Sequence, residues 1–463
     1  MFSIVFSTQD FEEIRSALFT KDELENAVFV ICGFTSNGDE TRLFVRRLMP
    51  VPPEAYKIRT GYHLEIFPFF INKVIDAAEG KFAIGAIHSH PGALSPEYSV
   101  SDNYGESRLF TVFSDLLPSL PHASLLFSPR MVMGRFWRMG NFRKVDYVSI
   151  AGTSLRKVTL TRQSPRLAKS DKATFDRQIM AFGDEVQAKL AQLKIGIVGL
   201  GGTGSCVAEQ LARMGCRDFL LVDNDNLEAS NITRTYGSEE SDVRKRVPKT
   251  RIASRNITSI DSGIFVQEVR SSIIQQETLL RLRDRDMIFC CTDNDLSRSL
   301  LNRYSYQYLT PVIDMGVRIV ADASRVLAAA GRVSLIGPGL PCLWCSHHLD
   351  SERIRLDSLD SNERDKLLKE KYIQGAEAKA PAVISLNSTV SSLAVTMYLS
   401  LLSGFSNVPI SASEQIYDAM EGVIFRSKPE RDPQCRICGP TGLKGLGDTQ
   451  IVSAYSSEER FRT

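Results

Sequence analysis

At 463 residues the chain is too long for one ordinary hydrophobic core and has room for two or three domains. Its 43% apolar and 24% charged residues are an ordinary soluble globular composition, and 56 basic against 54 acidic residues leave a net charge of +2. That balance gives no broad positive footprint for nucleic acid or an anionic membrane surface, and neither is expected as a partner.

The N-terminus has no basic run and turns acidic at Asp10, Glu12 and Glu13, which does not fit a secretory signal; a cytoplasmic protein is expected. Apolar periodicity predicts strands over Ala27–Gly33 and Arg42–Met49, an amphipathic helix over Phe69–Ala78 and a strand over Phe82–His88. A helix opens at Asp102, and Ala123–Phe127 and Val132–Trp137 read as two more strands. Residues 149–170 are polar, carry Arg156, Lys157, Arg162, Arg166 and Lys169 around Pro165, and read as a linker. The expected division is an α/β domain over 1–148, a linker over 149–170 and a second domain over 171–463.

In that second part a helix from Asp171 leads to a buried strand, Ile195–Val198, then a glycine turn, a helix and the strand Phe219–Val222. This is a βαβ unit and predicts a Rossmann-like, doubly wound parallel sheet. Met287–Cys291 reads as a further strand. Ala380–Ser413 carries no charge, but its best apolar run, Leu393–Leu402, is too short to span a bilayer, so a buried helix is expected.

Three groups of residues carry chemistry. His88-Ser89-His90-Pro91 ends a strand, where residues i and i+2 share a face, so both imidazoles can meet one ion. Ser99-Val100-Ser101-Asp102 follows after seven residues, a loop long enough to return Asp102 to the same ion. Two histidines and a carboxylate leave a tetrahedral zinc one open position, the catalytic arrangement.

Second, Gly199-Leu200-Gly201-Gly202-Thr203-Gly204-Ser205 lies between a strand and a helix, where glycines admit phosphates to a helix N-terminus. Asp223 ends the next strand, placed to bind ribose hydroxyls. Alone this fits a nicotinamide dehydrogenase equally well. Asp225, Asn231, Arg234, Lys249 and Asp293 favour an enzyme that splits ATP, which needs cations for phosphate and a carboxylate for Mg2+.

Third, four of the nine cysteines form two C-x-x-C pairs, Cys342/Cys345 and Cys435/Cys438, sufficient for a closed structural zinc site. His347 and His348, close by, read as surface residues.

The His-Ser-His-Pro and Ser-x-x-Asp pattern resembles the JAMM/MPN zinc metallopeptidases. That resemblance implies a glutamate base, placed at Glu25 ahead of Ala27–Gly33, with Glu40 and Glu65 as weaker alternatives. It also implies that Ser99 hydrogen-bonds the tetrahedral intermediate.

From about Phe175 to Pro440 the chain resembles the ThiF/MoeB/HesA family, the core of ubiquitin-activating enzymes. The resemblance implies ATP bound by the glycine turn, Asp223 and Asp225, with Asn231, Arg234 and Lys249 on the phosphates and Asp293 on Mg2+. It implies a homodimer in which Arg177, within Phe175-Asp176-Arg177-Gln178, enters the partner's site. The substrate implied is a small β-grasp protein with a glycine-ended tail.

Relatives often carry a cysteine between the two knuckles that takes up the carrier covalently. Here none occurs from Ser346 to Gln434, and Tyr372, Gln374 and Glu377 occupy the region. Direct transfer to an outside nucleophile, such as a conjugating enzyme or a sulfur donor, is therefore expected. A ubiquitin-like conjugation enzyme with activation and deconjugation in one chain is the leading expectation, with sulfur-carrier activation as the alternative.

Overall fold

The computed structural model describes residues 1–38, 40–159, 167–322, 325–359, 363, 381–407 and 413–452. The chain forms two compact units, one of Met1–Ser164 with Gln307–Leu309 and Leu443–Ile451, the other of the remainder.

The first unit is built on a nine-stranded sheet. Its elements in chain order are β1 (Phe2–Ser7), α1 (Thr8–Leu18), β2 (Ala27–Asn37), β3 (Glu40–Pro50), the small hairpin β4 (Tyr56–Arg59) and β5 (Leu64–Ile66), and α2 (Pro68–Ala77). Then come β6 (Ala83–Ser89), α3 (Val100–Leu116), β7 (His122–Phe127), β8 (Val132–Arg138), β9 (Asn141–Lys144), β10 (Tyr147–Ala151) and β11 (Arg156–Thr159). The sheet order is β11-β10-β1-β3-β2-β6-β7-β8-β9. Alternate residues such as Val28, Val30 and Cys32, with Leu43, Val45, Ile87, Leu125 and Phe127, pack against Phe11, Ile14 and Leu18 of α1.

Two expectations are corrected. The polar stretch 149–170 begins inside β10, every residue of which is buried, and β11 follows it in the sheet. β10 runs parallel to β1, pairing Ser3 with Tyr147 through Ser7 with Ala151, and Arg156 and Lys157, two of the basic residues that suggested a linker, lie on the edge strand β11. Arg162, Pro165 and Arg166 lie outside the described residues.

The second correction concerns Leu443–Ile451, which belongs to the first unit and not to the second domain of the sequence reading. β6 covers β2 only from Ala27 to Cys32, so the last part of β2 has a free edge. The returning segment fills it: Gly33 N–H donates to Gly445 O at 3.0 Å, and Asp448 N–H donates to Phe34 O at 2.7 Å. A Cβ on Gly33 would lie 2.3 Å from Gly445 O, so only glycine permits this approach.

The second unit starts with α4 (Lys169–Thr174) and α5 (Asp176–Gln192), the latter broken at Gly183. Next come β12 (Lys194–Val198), α6 (Gly202–Arg213), β13 (Asp218–Val222), β14 (Phe265–Val269), β15 (Met287–Cys290), β16 (Val312–Asp322), β17 (Arg325–Ile336), β18 (Glu414–Asp418) and β19 (Val423–Ser427). The sheet order is β14-β13-β12-β15-β16-β17-β18-β19, parallel from β14 to β16 and antiparallel beyond. The expected βαβ unit is β12-α6-β13, with β12 and β13 in parallel register from Lys194/Asp218 to Val198/Val222. The helix Ile384–Ser403 is long and apolar enough to cross a membrane, but it packs on α6, β16 and β17 and buries Val390, Ala394, Tyr398 and Leu401.

His122, fully buried beneath Phe110 and Phe113, accepts the Ile84 N–H at 3.1 Å, and burial pushes its pKa down to about 4. The fold holds the neutral ring, so this contribution is complete above pH 6.5, the ordinary value, and is lost as pH falls from there to about 4. His122→Leu should cost about 1–3 kcal/mol at neutral pH, because Ile84 N–H loses its acceptor. Its melting temperature should then fall less than that of the wild type between pH 6.5 and 4; parallel curves would contradict this assignment.

Candidate functional site

In the first unit, β6 carries His88 opposite Ala27 of β2 and Leu126 of β7, and His90 N–H donates to Phe127 O at 2.8 Å just past the strand. Glu25 precedes β2 and is held by its N–H to Thr60 O and by Arg59 Nε, which donates to Glu25 O at 3.2 Å. Asp102 lies in the first turn of α3 because Ser99 caps that helix. Ser99 Oγ accepts the Asp102 N–H at 3.0 Å, and Asp102 Oδ2 accepts the Ser99 N–H at 2.7 Å.

These elements bring His88, His90 and Asp102 together, their donor atoms within 4.8 Å of one another. Asp102 Oδ1 is 3.4 Å from His88 Nε2, and both Asp102 Oδ2 and Glu25 Oε1 are 3.4 Å from His90 Nε2. Burial disfavours charge on Asp102, yet hydrogen bonds with both histidines outweigh it and hold the carboxyl well below its usual range. Burial raises Glu25, against the opposing charges of His90 and His88, which suits a proton acceptor. His88 Nε2 is buried and meets the Asp102 carboxylate only at 3.4 Å, a long contact that a metal ion between them would replace. Of the alternative glutamates, Glu65 pairs with Lys57 on the small hairpin and Glu40 accepts from Tyr147 Oη.

In the second unit each glycine of the turn after β12 answers a different constraint. Gly199 has φ +88°, and a Cβ there would lie 2.7 Å from Cys291 O. On Gly204 it would lie 1.8 Å from Gly199 O, so α6 can approach β12 only without a side chain. At Gly201 a Cβ would meet nothing within 4 Å, so the turn is open there. Gly201 is also the N-cap of α6 and supplies no side-chain bond, leaving first-turn N–H groups for an anion.

Asp223 has a role the sequence does not reveal. Its carboxylate accepts Leu200 N–H at 2.7 Å and Asp225 N–H at 2.8 Å, tying the turn to the end of β13. Burial raises its pKa against the charge of Lys249. Lys249 Nζ pairs with Asp225 at 2.7 Å, Arg234 donates to Ser230 O at 2.6 Å, and Asn231 Oδ1 accepts Glu228 N–H at 3.4 Å. Asp293 is exposed on the turn after β15, whose backbone Arg298 holds through Thr292 O at 3.0 Å. Arg177 is exposed at the start of α5.

The two knuckles also converge. Cys342 Sγ lies 3.8 Å from Cys345 and 3.6 Å from Cys435, and Cys345 lies 3.5 Å from Cys438. Four thiolates at zinc–sulfur bond length stand about 3.8 Å apart in a tetrahedron, so the set fits a structural zinc. His348, read as a surface residue, is instead half-buried and paired with Glu414.

The family model described as ThiF family matches residues 175–437, more than half of the chain. The chain belongs to the ThiF family.

Among curated ThiF-like relatives, it is 26% identical over 275 residues to the molybdopterin-synthase adenylyltransferase of Escherichia coli K12, covering 59% of this chain and 98% of that protein. It is 28% identical to the sulfur carrier protein ThiS adenylyltransferase of Bacillus subtilis over 35% of this chain and 46% of that one. A sulfur carrier protein adenylyltransferase of Thermus thermophilus is 25% identical over 59% and 93%. The remaining thiols of this ThiF chain are poor nucleophiles where burial decides: it pushes Cys216 and Cys290 up to about 12 and also raises Cys32 and Cys291. Tyr372, Gln374 and Glu377 lie outside the described residues.

Two outcomes follow from this geometry. Metal analysis of the purified chain should give about two zinc ions, with Asp102→Ala and Cys435→Ser each removing one and only Cys435→Ser lowering the melting temperature of the second unit; a single ion, or none, would contradict the two clusters. Gly204→Ala should cost ~3 kcal/mol or more through overpacking against backbone. An unchanged melting temperature would show that α6 can recede from β12.

Proposed function

We propose that this ThiF-family chain is an ATP-dependent adenylyltransferase acting on the C-terminal glycine of a small β-grasp carrier protein, joined to a JAMM-type zinc metallopeptidase that processes the same tail. The single observation that carries the first activity is the family match over 175–437, and the turn open at Gly201 suits it. The carrier carboxylate attacks the α-phosphorus, the bond from that phosphorus to the bridging oxygen breaks, and pyrophosphate leaves with its charge partly neutralised. Arg234 and Lys249 would supply positive charge and Asp293 would hold Mg2+, so the protein would act chiefly by positioning and charge stabilisation. Arg177, exposed on α5, would serve the site of a second copy in a homodimer.

The relatives' names favour a sulfur carrier over the conjugation reading that the sequence motifs placed first. Conjugation remains a second reading because the His88, His90 and Asp102 cluster suits release of a tail from a target. Zinc held there would polarise a scissile carbonyl and acidify water. Glu25, beside His90, would accept the proton from that water and pass it to the leaving amine. The Ser99 oxygen accepts from Asp102 N–H and lies 2.8 Å from Ser101 Oγ; with Ser101 as the donor of that pair, the Ser99 proton would be directed toward the developing oxyanion.

Incubation with ATP and a glycine-ended β-grasp protein should give carrier-dependent pyrophosphate exchange that falls at least ~100-fold in Asp293→Ala. Mass spectrometry of a carrier bearing extra residues after the glycine should register trimming that Asp102→Ala abolishes and Asp293→Ala spares. Hydride transfer from a nicotinamide cofactor, or trimming that persists after zinc removal, would sink the corresponding half of the proposal.

A further inference from the structure

At Gly202 the missing side chain answers to neighbouring side chains and not to φ or backbone packing. A Cβ there would lie 2.1 Å from Asn387 Nδ2 and 3.2 Å from Arg234 Cδ. Asn387 stands in the first turn of the Ile384–Ser403 helix and is only 6% exposed. Its backbone N–H donates to Val383 O, and its carbonyl accepts from Ser391 Oγ at 2.8 Å. The side-chain amide, by contrast, makes no hydrogen bond among the described residues, which leaves its donors available to a ligand at the turn.

The helix that carries it is fixed in place. Ser391 Oγ donates to Thr203 O at 3.0 Å, Gln210 donates to Ser392 Oγ at 3.0 Å, and Ser388 meets Tyr236 Oη at 2.9 Å. Thr203 and Gln210 belong to α6, so the amide is held in register with the turn. Its neighbours are the N-terminus of α6 and the Arg234 side chain, and the N-terminal end of its own 20-residue helix adds partial positive charge.

We infer that Asn387 is a further nucleotide-binding residue, donating its Nδ2–H to a phosphate oxygen of ATP at the glycine turn beside Arg234. This rests on the adenylyltransferase reading above. Gly202 then serves to admit a protein amide to the phosphate site, and a neutral donor adds direction there without further charge.

The test is calorimetric titration of the full chain with MgATP, alongside melting curves without nucleotide. Asn387→Leu, similar in size but without donors, should weaken binding about tenfold, as expected for loss of a hydrogen bond to a charged group. Asn387→Asp, nearly isosteric, should weaken it more, because a carboxylate would face the phosphate. The apo melting temperature of Asn387→Asp should stay near that of the wild type. Wild-type affinity in both variants overturns the inference while leaving the adenylyltransferase reading intact; failure of the wild-type chain itself to bind MgATP overturns both. If Asn387→Leu does not fold, the Asn387→Asp titration alone decides.

Discussion

The second unit depends on a contact that admits no side chain: the Cα of Gly204 against the carbonyl of Gly199. Because α6 can approach β12 that closely, its N-terminus opens at the end of the parallel strands, and the first-turn N–H groups face the open side of the turn at Gly201. Asp223 adds the second restraint, reaching from β13 to hold Leu200 N–H. An anion at this turn would therefore meet backbone N–H groups before any cation takes part. Arg234, Lys249 and Asp293 are placed around a turn that is already formed.

The first unit solves a different problem by a similar economy. A strand presents alternate residues to one face, so His88 and His90 converge without any special loop. The third member of the cluster comes from a helix start, where the Ser99 cap that stabilises α3 also fixes the Asp102 carboxylate. The same pair of residues thus performs a folding task and a site-building task. In the Cys342, Cys345, Cys435 and Cys438 cluster the constraint is instead long-range, since 93 residues separate Cys342 from Cys435.

What the sequence made legible follows from how local each signal is. The periodicity of Phe82–His88 and the glycines after Val198 are short-range patterns, and both gave elements within a residue or so of those found. The strand pair β1 and β10 was not legible: each is a short apolar run, and they meet only through a parallel pairing across about 140 positions. Arg156 and Lys157 made the following stretch look like a linker, although Lys157 lies over the Tyr147 ring at the sheet edge. The return of Leu443–Ile451 to β2 depends on Gly33, Gly445 and Gly447, which carry no periodicity at all. Asn387 was hidden for the same reason: on its helix it reads as one more uncharged residue, and only the space beside Gly202 gives it meaning.

The most direct measurement of the central claim is parallel calorimetry of the intact chain with MgATP and with NAD. The account predicts saturable binding of MgATP, one site per chain, and no heat with NAD. Binding of NAD without MgATP would place the glycine turn in hydride chemistry and contradict the account.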